Sequence, residues 1–248
     1  MRPDYRDRLF ATYSATHVSP LDVDDQGKNT WFRRYVEKNY LPLLANLDRT
    51  QTEVLEIACN RGYLLSALSD MGFERLTGID LSGDDVARAR ALLPTADIQC
   101  VNVFDFLKDK SQSFDVVIFK ALLEHVPKPE VLPLLEAIHL ALKPGGMVLI
   151  DVPNMDWLMA THERYMDFTH EAGFTRESLA QVMRNVFSNV AVRPAQPPAE
   201  PGLKEALVQL IRPGIILAGK IFLRVIGEGA SDTWWYCRSL LGTARKDG

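Results

Sequence analysis

Two sets of residues in this 248-residue chain have types and spacings that could do chemistry. The first lies in Val54-Leu55-Glu56-Ile57-Ala58-Cys59-Asn60-Arg61-Gly62-Tyr63-Leu64-Leu65. There an apolar run ends in a tight polar turn, and a helical pattern begins directly after Gly62. That is the form of a nucleotide-binding turn. Eighteen residues past Gly62, Asp80 closes a second apolar run, Leu76-Thr77-Gly78-Ile79-Asp80. A carboxylate at that strand tip can accept hydrogen bonds from the two hydroxyls of a ribose. A dinucleotide fingerprint would need glycine where Ala58 and Asn60 stand and another beyond Arg61, so the pattern points to an adenosyl ligand and away from a nicotinamide oxidoreductase.

The second set is built on histidine, the side chain suited to proton transfer near neutral pH. His125 follows Leu122-Leu123-Glu124, just beyond a strand-like run. It reads as a general base or as a hydrogen bonder that shapes a pocket. The segment Glu163-Arg164-Tyr165-Met166-Asp167-Phe168-Thr169-His170-Glu171 offers His170 with Asp167 as a base and its orienting carboxylate, or else a loop latched to the next helix. Trp157 and His162 are further acceptor-site candidates, and mid-helix His139 reads as structural. Asp151, Asp156, Asp167 and His170 have metal-ligating side chains, but no spacing rule selects them, so no metal is assigned.

These groups need a scaffold, and from residue 54 onward short apolar runs alternate with helical patterns, as in a parallel sheet wrapped by helices. Strands are expected at Val54–Cys59, Arg75–Asp80, Asp97–Val103, Phe114–Lys120 and Met147–Val152, with a late strand beginning at Val190–Arg193 and a last one within Tyr236–Arg245. Helices are expected over Tyr63–Met71, after Ser82 as cap, and after Thr175 as cap. Another carries the stripe Leu134, Ile138, Leu142 and ends at Lys143-Pro144-Gly145-Gly146.

In this order the motifs VLEIACNRGYLL, LTGIDLS, FDVVIFKALLEHV and LKPGGMVLIDVPN resemble those of the class I S-adenosylmethionine-dependent methyltransferases, over roughly residues 50 to 192 with the last strand near 238–246. The resemblance implies an α/β fold: a Rossmann-like, seven-stranded, mostly parallel sheet with helices on both faces. It divides the chain into an N-terminal helical cap (1–50), a methyltransferase core (51–193), an apolar helical insertion (194–233) and a last strand with tail (234–248). Glu56 would organise the amino-acid end of S-adenosylmethionine, and Asp80 its ribose. Gly62 would admit the methionine portion, where a Cβ would occupy cofactor space. Val103, Phe104 and Asp105 would wall the adenine, and Leu81 and Lys120 are further cofactor contacts. Ala58 and Asn60 replace the usual glycines; asparagine tolerates left-handed backbone and alanine adds only a methyl, so the loop is expected to keep its shape. More narrowly, the DFTHE-like segment resembles methyltransferases of bacterial surface polysaccharides and sugars, which implies O-methylation of a sugar hydroxyl. The lead-in Arg8 to His17 shares that likeness, and Tyr13 and His17 would close over the cofactor or acceptor. A weakly active or inactive binding or scaffold protein that keeps the fold, or a methyltransferase acting on another small molecule, is the alternative.

A formal charge of −4 argues against a nucleic-acid partner. Cys59, Cys100 and Cys237 lack metal-ligand spacing and read as reduced thiols of a cytoplasmic protein. Residues 1 to 13 lack the apolar core of a signal peptide. Leu203–Ile226 is apolar but interrupted by Lys204, Glu205, Arg212, Pro213, Lys220 and Arg224, and so is expected to be too broken to span a bilayer. Its excess of basic residues suits an anionic membrane surface at the inner face, a second subunit, or a cover over its own sheet.

Overall fold

In the computed structural model, which describes residues 5–10, 13, 25–198, 202–227 and 233–248, seven strands form one sheet. They are β1 (Glu53–Ile57), β2 (Arg75–Asp80), β3 (Asp97–Cys100), β4 (Phe114–Lys120), β5 (Leu142–Pro153), β6 (Ala191–Ala195) and β7 (Ser239–Arg245). Their order is β3-β2-β1-β4-β5-β7-β6, parallel except that β7 runs antiparallel to both neighbours. The helices are α1 (Tyr5–Phe10), α2 (Asp25–Asn39), α3 (Leu41–Leu44), α4 (Tyr63–Asp70), α5 (Gly83–Leu92), α6 (Val103–Leu107), α7 (Lys128–Ala141), α8 (Ala160–Tyr165), α9 (Arg176–Arg184) and α10 (Leu203–Val225), with a 3-10 turn at Leu123–His125.

Alternation along the central strands sorts their side chains into two cores. Leu55, Ile57, Val117, Phe119, Val148 and Ile150 point to one face, under Leu134 and Ile138 of α7 and Leu179 and Met183 of α9. Val54, Val116, Ile118, Met147 and Leu149 point to the other, under Leu64, Leu65 and Leu68 of α4, Val86 of α5, and Tyr35 and Val36 of α2. The expected sheet with helices on both faces is therefore present. Because the chain runs outward in opposite directions from β1 and β4, a crevice opens at the carboxyl ends of these two adjacent strands, where ligands of such sheets bind.

Several elements differ from expectation for identifiable reasons. β3 stops at Cys100 because the Asn102 side chain accepts the Phe104 N–H (2.9 Å) and caps α6. α7 ends at Ala141; Leu142 turns extended and pairs with Phe114, so Lys143-Pro144-Gly145-Gly146 belongs to β5 as an irregular stretch. β6 runs on through Pro194, which an edge strand tolerates. α2, within the expected N-terminal cap, covers a face of the sheet. α10 is one helix of 23 residues, continuous through Pro213. It is long and apolar enough to cross a membrane by length and composition, contrary to the expectation of a broken segment, and none of its span is buried. It is no cover for the protein's own sheet.

Candidate active site

The turn after β1 takes its shape from three left-handed residues, Ala58 (φ 57°), Asn60 (φ 47°) and Gly62 (φ 80°). The loop thus keeps the geometry expected despite two missing glycines, although a left-handed L-residue costs roughly 1–2 kcal/mol. Compensating bonds hold it. The Cys59 N–H reaches Ile79 O (2.9 Å), the Gly62 N–H reaches Cys59 O (2.8 Å), and Asn60 Oδ1 accepts the Arg61 N–H (2.8 Å). A buried Arg61–Asp85 ion pair (3.2 Å) ties the turn to α5. Asp80 joins the turn after β1 to the start of α5: Oδ2 accepts the Asn60 N–H and Oδ1 the Ser82 N–H, both at 2.8 Å. A carboxylate has about four acceptor positions, so hydroxyls could still be bound there. Burial raises the Asp80 pKa against those N–H bonds.

Glu56 is buried on β1, and its Oε2 has no hydrogen-bond partner. Burial foremost, and then the charge of Asp80, push its pKa well above the usual 4.5. A carboxylate with one orphaned oxygen beside a second carboxylate could receive a cationic ligand group, because a cation would supply both the missing hydrogen bond and the missing charge.

Gly62 corrects one expectation. A Cβ built there meets Ala89 Cβ at 3.2 Å and Leu93 Cδ1 at 3.4 Å, so it points at α5 and away from the crevice. The glycine serves the left-handed turn and the close approach of two helices.

The second cluster lies on the loops after β4 and β5. Asp167 is bound by the Tyr13 O–H (2.7 Å), the Thr169 N–H (2.8 Å) and the Thr169 O–H (2.7 Å). Burial would raise its pKa, but these hydrogen bonds prevail and hold it below 3.8. Thr169 Oγ1 lies 2.8 Å from Nδ1 of buried His125. Since the single Thr169 hydroxyl proton is given to Asp167, the contact requires His125 to donate from Nδ1. In a neutral imidazole held this way by the Asp167–Thr169–His125 chain, the ring lone pair is on Nε2. Phe10, Tyr13 and His170 surround the His125 ring, with centroids at 6.2, 5.9 and 4.7 Å.

The expected Asp167–His170 pair is not what the loop builds. The His170 Nδ1 faces the Arg164 carbonyl (3.3 Å), and Asp167 serves His125 through Thr169 instead. Nor do Asp151, Asp156, Asp167 and His170 gather. Among the described residues, Glu124, His125 and His170 bring three potential ligand atoms within 4.8 Å of one another. Both carboxylate oxygens of Glu124 are buried without a partner, and burial pushes its pKa up to about 8.

The remaining candidates fall into place around these clusters. Lys120 donates to Asp151 (3.1 Å) and lies 4.7 Å from the centre of the Tyr35 ring, while Tyr35 and Tyr40 also donate to Asp151. Lys120 is thus engaged in a buried network at the ends of β4 and β5. Val103 and Phe104 open α6 and pack partly on the core, Asp105 is exposed, and Leu81 is 62% exposed beside Asp80. His162 is exposed on α8, His139 packs on Phe187 (5.3 Å), and Trp157 lies under the Arg238 guanidinium (5.8 Å). His17 lies outside the described residues. The sequence reading missed Thr169, Glu124, Tyr35 and Tyr40. A carboxylate within the apolar run of β5, Asp151, was the available sign of buried partners.

A family model described as a methyltransferase domain matches residues 29–187. A ubiquinone biosynthesis O-methyltransferase of Idiomarina loihiensis is 35% identical over 114 residues, which are 43% of this chain and 46% of that protein. The match therefore spans less than half the length of that relative. A SAM-dependent methyltransferase from Archaeoglobus fulgidus superposes with a TM-score of 0.63 at 18% identity, covering 98% of this chain and 100% of that one. A plantazolicin methyltransferase in complex with SAH gives a TM-score of 0.61 at 18% identity, covering 98% and 96%.

Proposed function

This chain belongs to the methyltransferase-domain family, and from that premise we propose that it moves a methyl group from S-adenosylmethionine to a hydroxyl acceptor, with His125 taking the hydroxyl proton. The donor, when bound, supplies an electrophilic methyl on a sulfonium. Glu56 would hold its ammonium, Asp80 its ribose hydroxyls, and Leu81 and Phe104 its base. The orphaned Glu56 oxygen fits this group, since no other described residue meets its demand for a cation. The observation that supports the reading of His125 is the Asp167–Thr169–His125 chain, which reaches the ring on a loop at the carboxyl edge of the sheet.

An acceptor hydroxyl on a ring suits the aromatic wall of Phe10, Tyr13 and His170. The DFTHE-like segment favours a sugar ring, on a nucleotide sugar or a surface glycan; the name of the curated relative makes a ring acceptor of the ubiquinone pathway the comparison to run beside it. The experiment is incubation with S-adenosylmethionine and both acceptor panels, read by mass spectrometry for addition of one CH2. Lack of donor binding in calorimetry would reject the reaction type. Transfer to phenolic rings and to no sugar would reject the sugar.

A second reading has its own observation, the unpartnered Glu124 carboxylate beside His125 and His170. A carboxylate with two imidazoles suits a divalent cation that would acidify the acceptor hydroxyl. Turnover that survives exhaustive chelation excludes it.

A further inference from the structure

α10 is turned inside out for a protein in water. Its apolar residues Leu203, Leu207, Leu210, Leu217, Phe222 and Val225 are between 55% and 88% exposed. At 3.6 residues per turn they and their apolar neighbours cover roughly half the circumference. Arg212 sits on the opposite half, where it lines the cleft between α10 and the body. Lys220 falls on that inward half too, and Arg224 at its border. A helix of a water-soluble surface carries these classes of residue the other way round.

Part of the apolar arc, Leu207, Val208, Ile211 and Ile215, borders the cleft, and further exposed apolar residues lie beyond α10. The cleft, of about 680 Å³, is lined by α10 together with Trp157, Leu158, Trp235 and Tyr236, and the Leu158 N–H binds Trp235 O (3.0 Å). From there Leu158 (77% exposed), Met159, Tyr165 and Phe168 (81%) lead along the segment that holds Asp167 and Thr169.

We propose that this face seats the protein on the surface of an anionic lipid bilayer, with α10 lying in the interface and the candidate active site at its margin. Two observations favour lipid over a second copy or another protein, and a third excludes a crossing. A protein partner takes a stripe of a helix, whereas the exposed apolar arc here spans about half of it. The segment carries Lys204, Arg212, Lys220 and Arg224 against Glu205 alone, although the whole chain is net −4, so its charge complements anionic headgroups. Both ends of the insertion also return to one place, since Ala195 of β6 pairs with Ser239 of β7. That return argues against a crossing. So does the middle of the helix: a Cβ on Gly219 would lie 2.1 Å from Trp235 Cζ2, so the helix rests on the protein body at Trp235. The inference is independent of methyl transfer.

The test is sedimentation of the full chain with vesicles, either purely zwitterionic or containing a third anionic phospholipid, alongside the variant Leu210→Glu/Leu217→Glu. Neither leucine lines the cleft, so the variant should keep its fold and donor affinity. The expected result is binding to anionic vesicles, weakened at least tenfold in the variant, reduced by high salt, and weaker on zwitterionic vesicles. Wild-type protein that binds donor yet stays in the supernatant overturns the proposal, as does a variant that sediments equally. A dimer dispersed by the two substitutions, without vesicle binding, assigns the face to a second copy and overturns it too.

Discussion

Glu56→Gln separates a ligand-binding carboxylate from a structural one, because it moves affinity and stability in opposite directions. Glutamine keeps the volume and one carbonyl oxygen but loses the charge that would face the donor's ammonium. A hydrogen bond to a charged group contributes about 1.5–3 kcal/mol, so the donor dissociation constant should rise about 10- to 150-fold. Stability should change the other way. Burial and Asp80 raise the Glu56 pKa in the folded state, so the folded protein holds a proton that the unfolded chain has released. Stability then falls as pH rises from the unfolded carboxylate pKa to the folded one, and glutamine removes that loss. The same proton reports on binding: the ammonium favours the carboxylate form, so donor binding below the raised pKa expels a proton and tightens with pH, by up to about tenfold per unit. Calorimetry in two buffers of different ionisation enthalpy measures the release directly. Wild-type binding without proton release, together with unchanged affinity in Glu56→Gln, would refute the assignment.

Replacing His125 with alanine should lower kcat by about 10²- to 10⁴-fold with donor affinity unchanged, and Thr169→Val, which removes the hydroxyl that links Asp167 to His125 Nδ1, roughly tenfold; single-turnover rates across pH check both, and a larger loss in His170→Ala would move the base. In urea titrations Ala58→Gly should gain up to about 1 kcal/mol by relieving a left-handed alanine. Gly62→Val should cost more than about 2 kcal/mol, because it forces both a positive φ and a clash with Ala89. Glu124→Gln, measured in chelator, should show little difference in stability from wild type near pH 4 and gain on the order of 5 kcal/mol by pH 9, as the wild-type group passes from shared protonation to its folded pKa of about 8.

What could be read from the chain was local, and what could not was set by topology. The turn after β1 was legible because its demands are backbone demands: residues 58, 60 and 62 must turn left-handed within a few peptides, and Asp80 must stand at the next strand tip. The strand pattern was legible because parallel strands are apolar on both faces, and the caps at Ser82 and Thr175 act over three residues. The proton chain was not legible, because Thr169 and His125 lie 44 residues apart and Tyr13 lies 154 residues from Asp167. Only the order of strands brings the loops after β4 and β5 together, and the sequence shows Asp167 close to His170 without showing which imidazole it serves. Tyr35 and Tyr40 reach Asp151 in the same way, from α2 laid across the sheet face and from the turn just after it. α10 shows the opposite failure. Its charges and its proline were visible and suggested interruption, but helical geometry gathers Arg212 and Lys220 onto one side, and Pro213 removes one backbone donor without ending the helix. Charge counted along a segment therefore misleads where charge arranged around a helix does not, and that arrangement is what turns the apolar side of α10 outward.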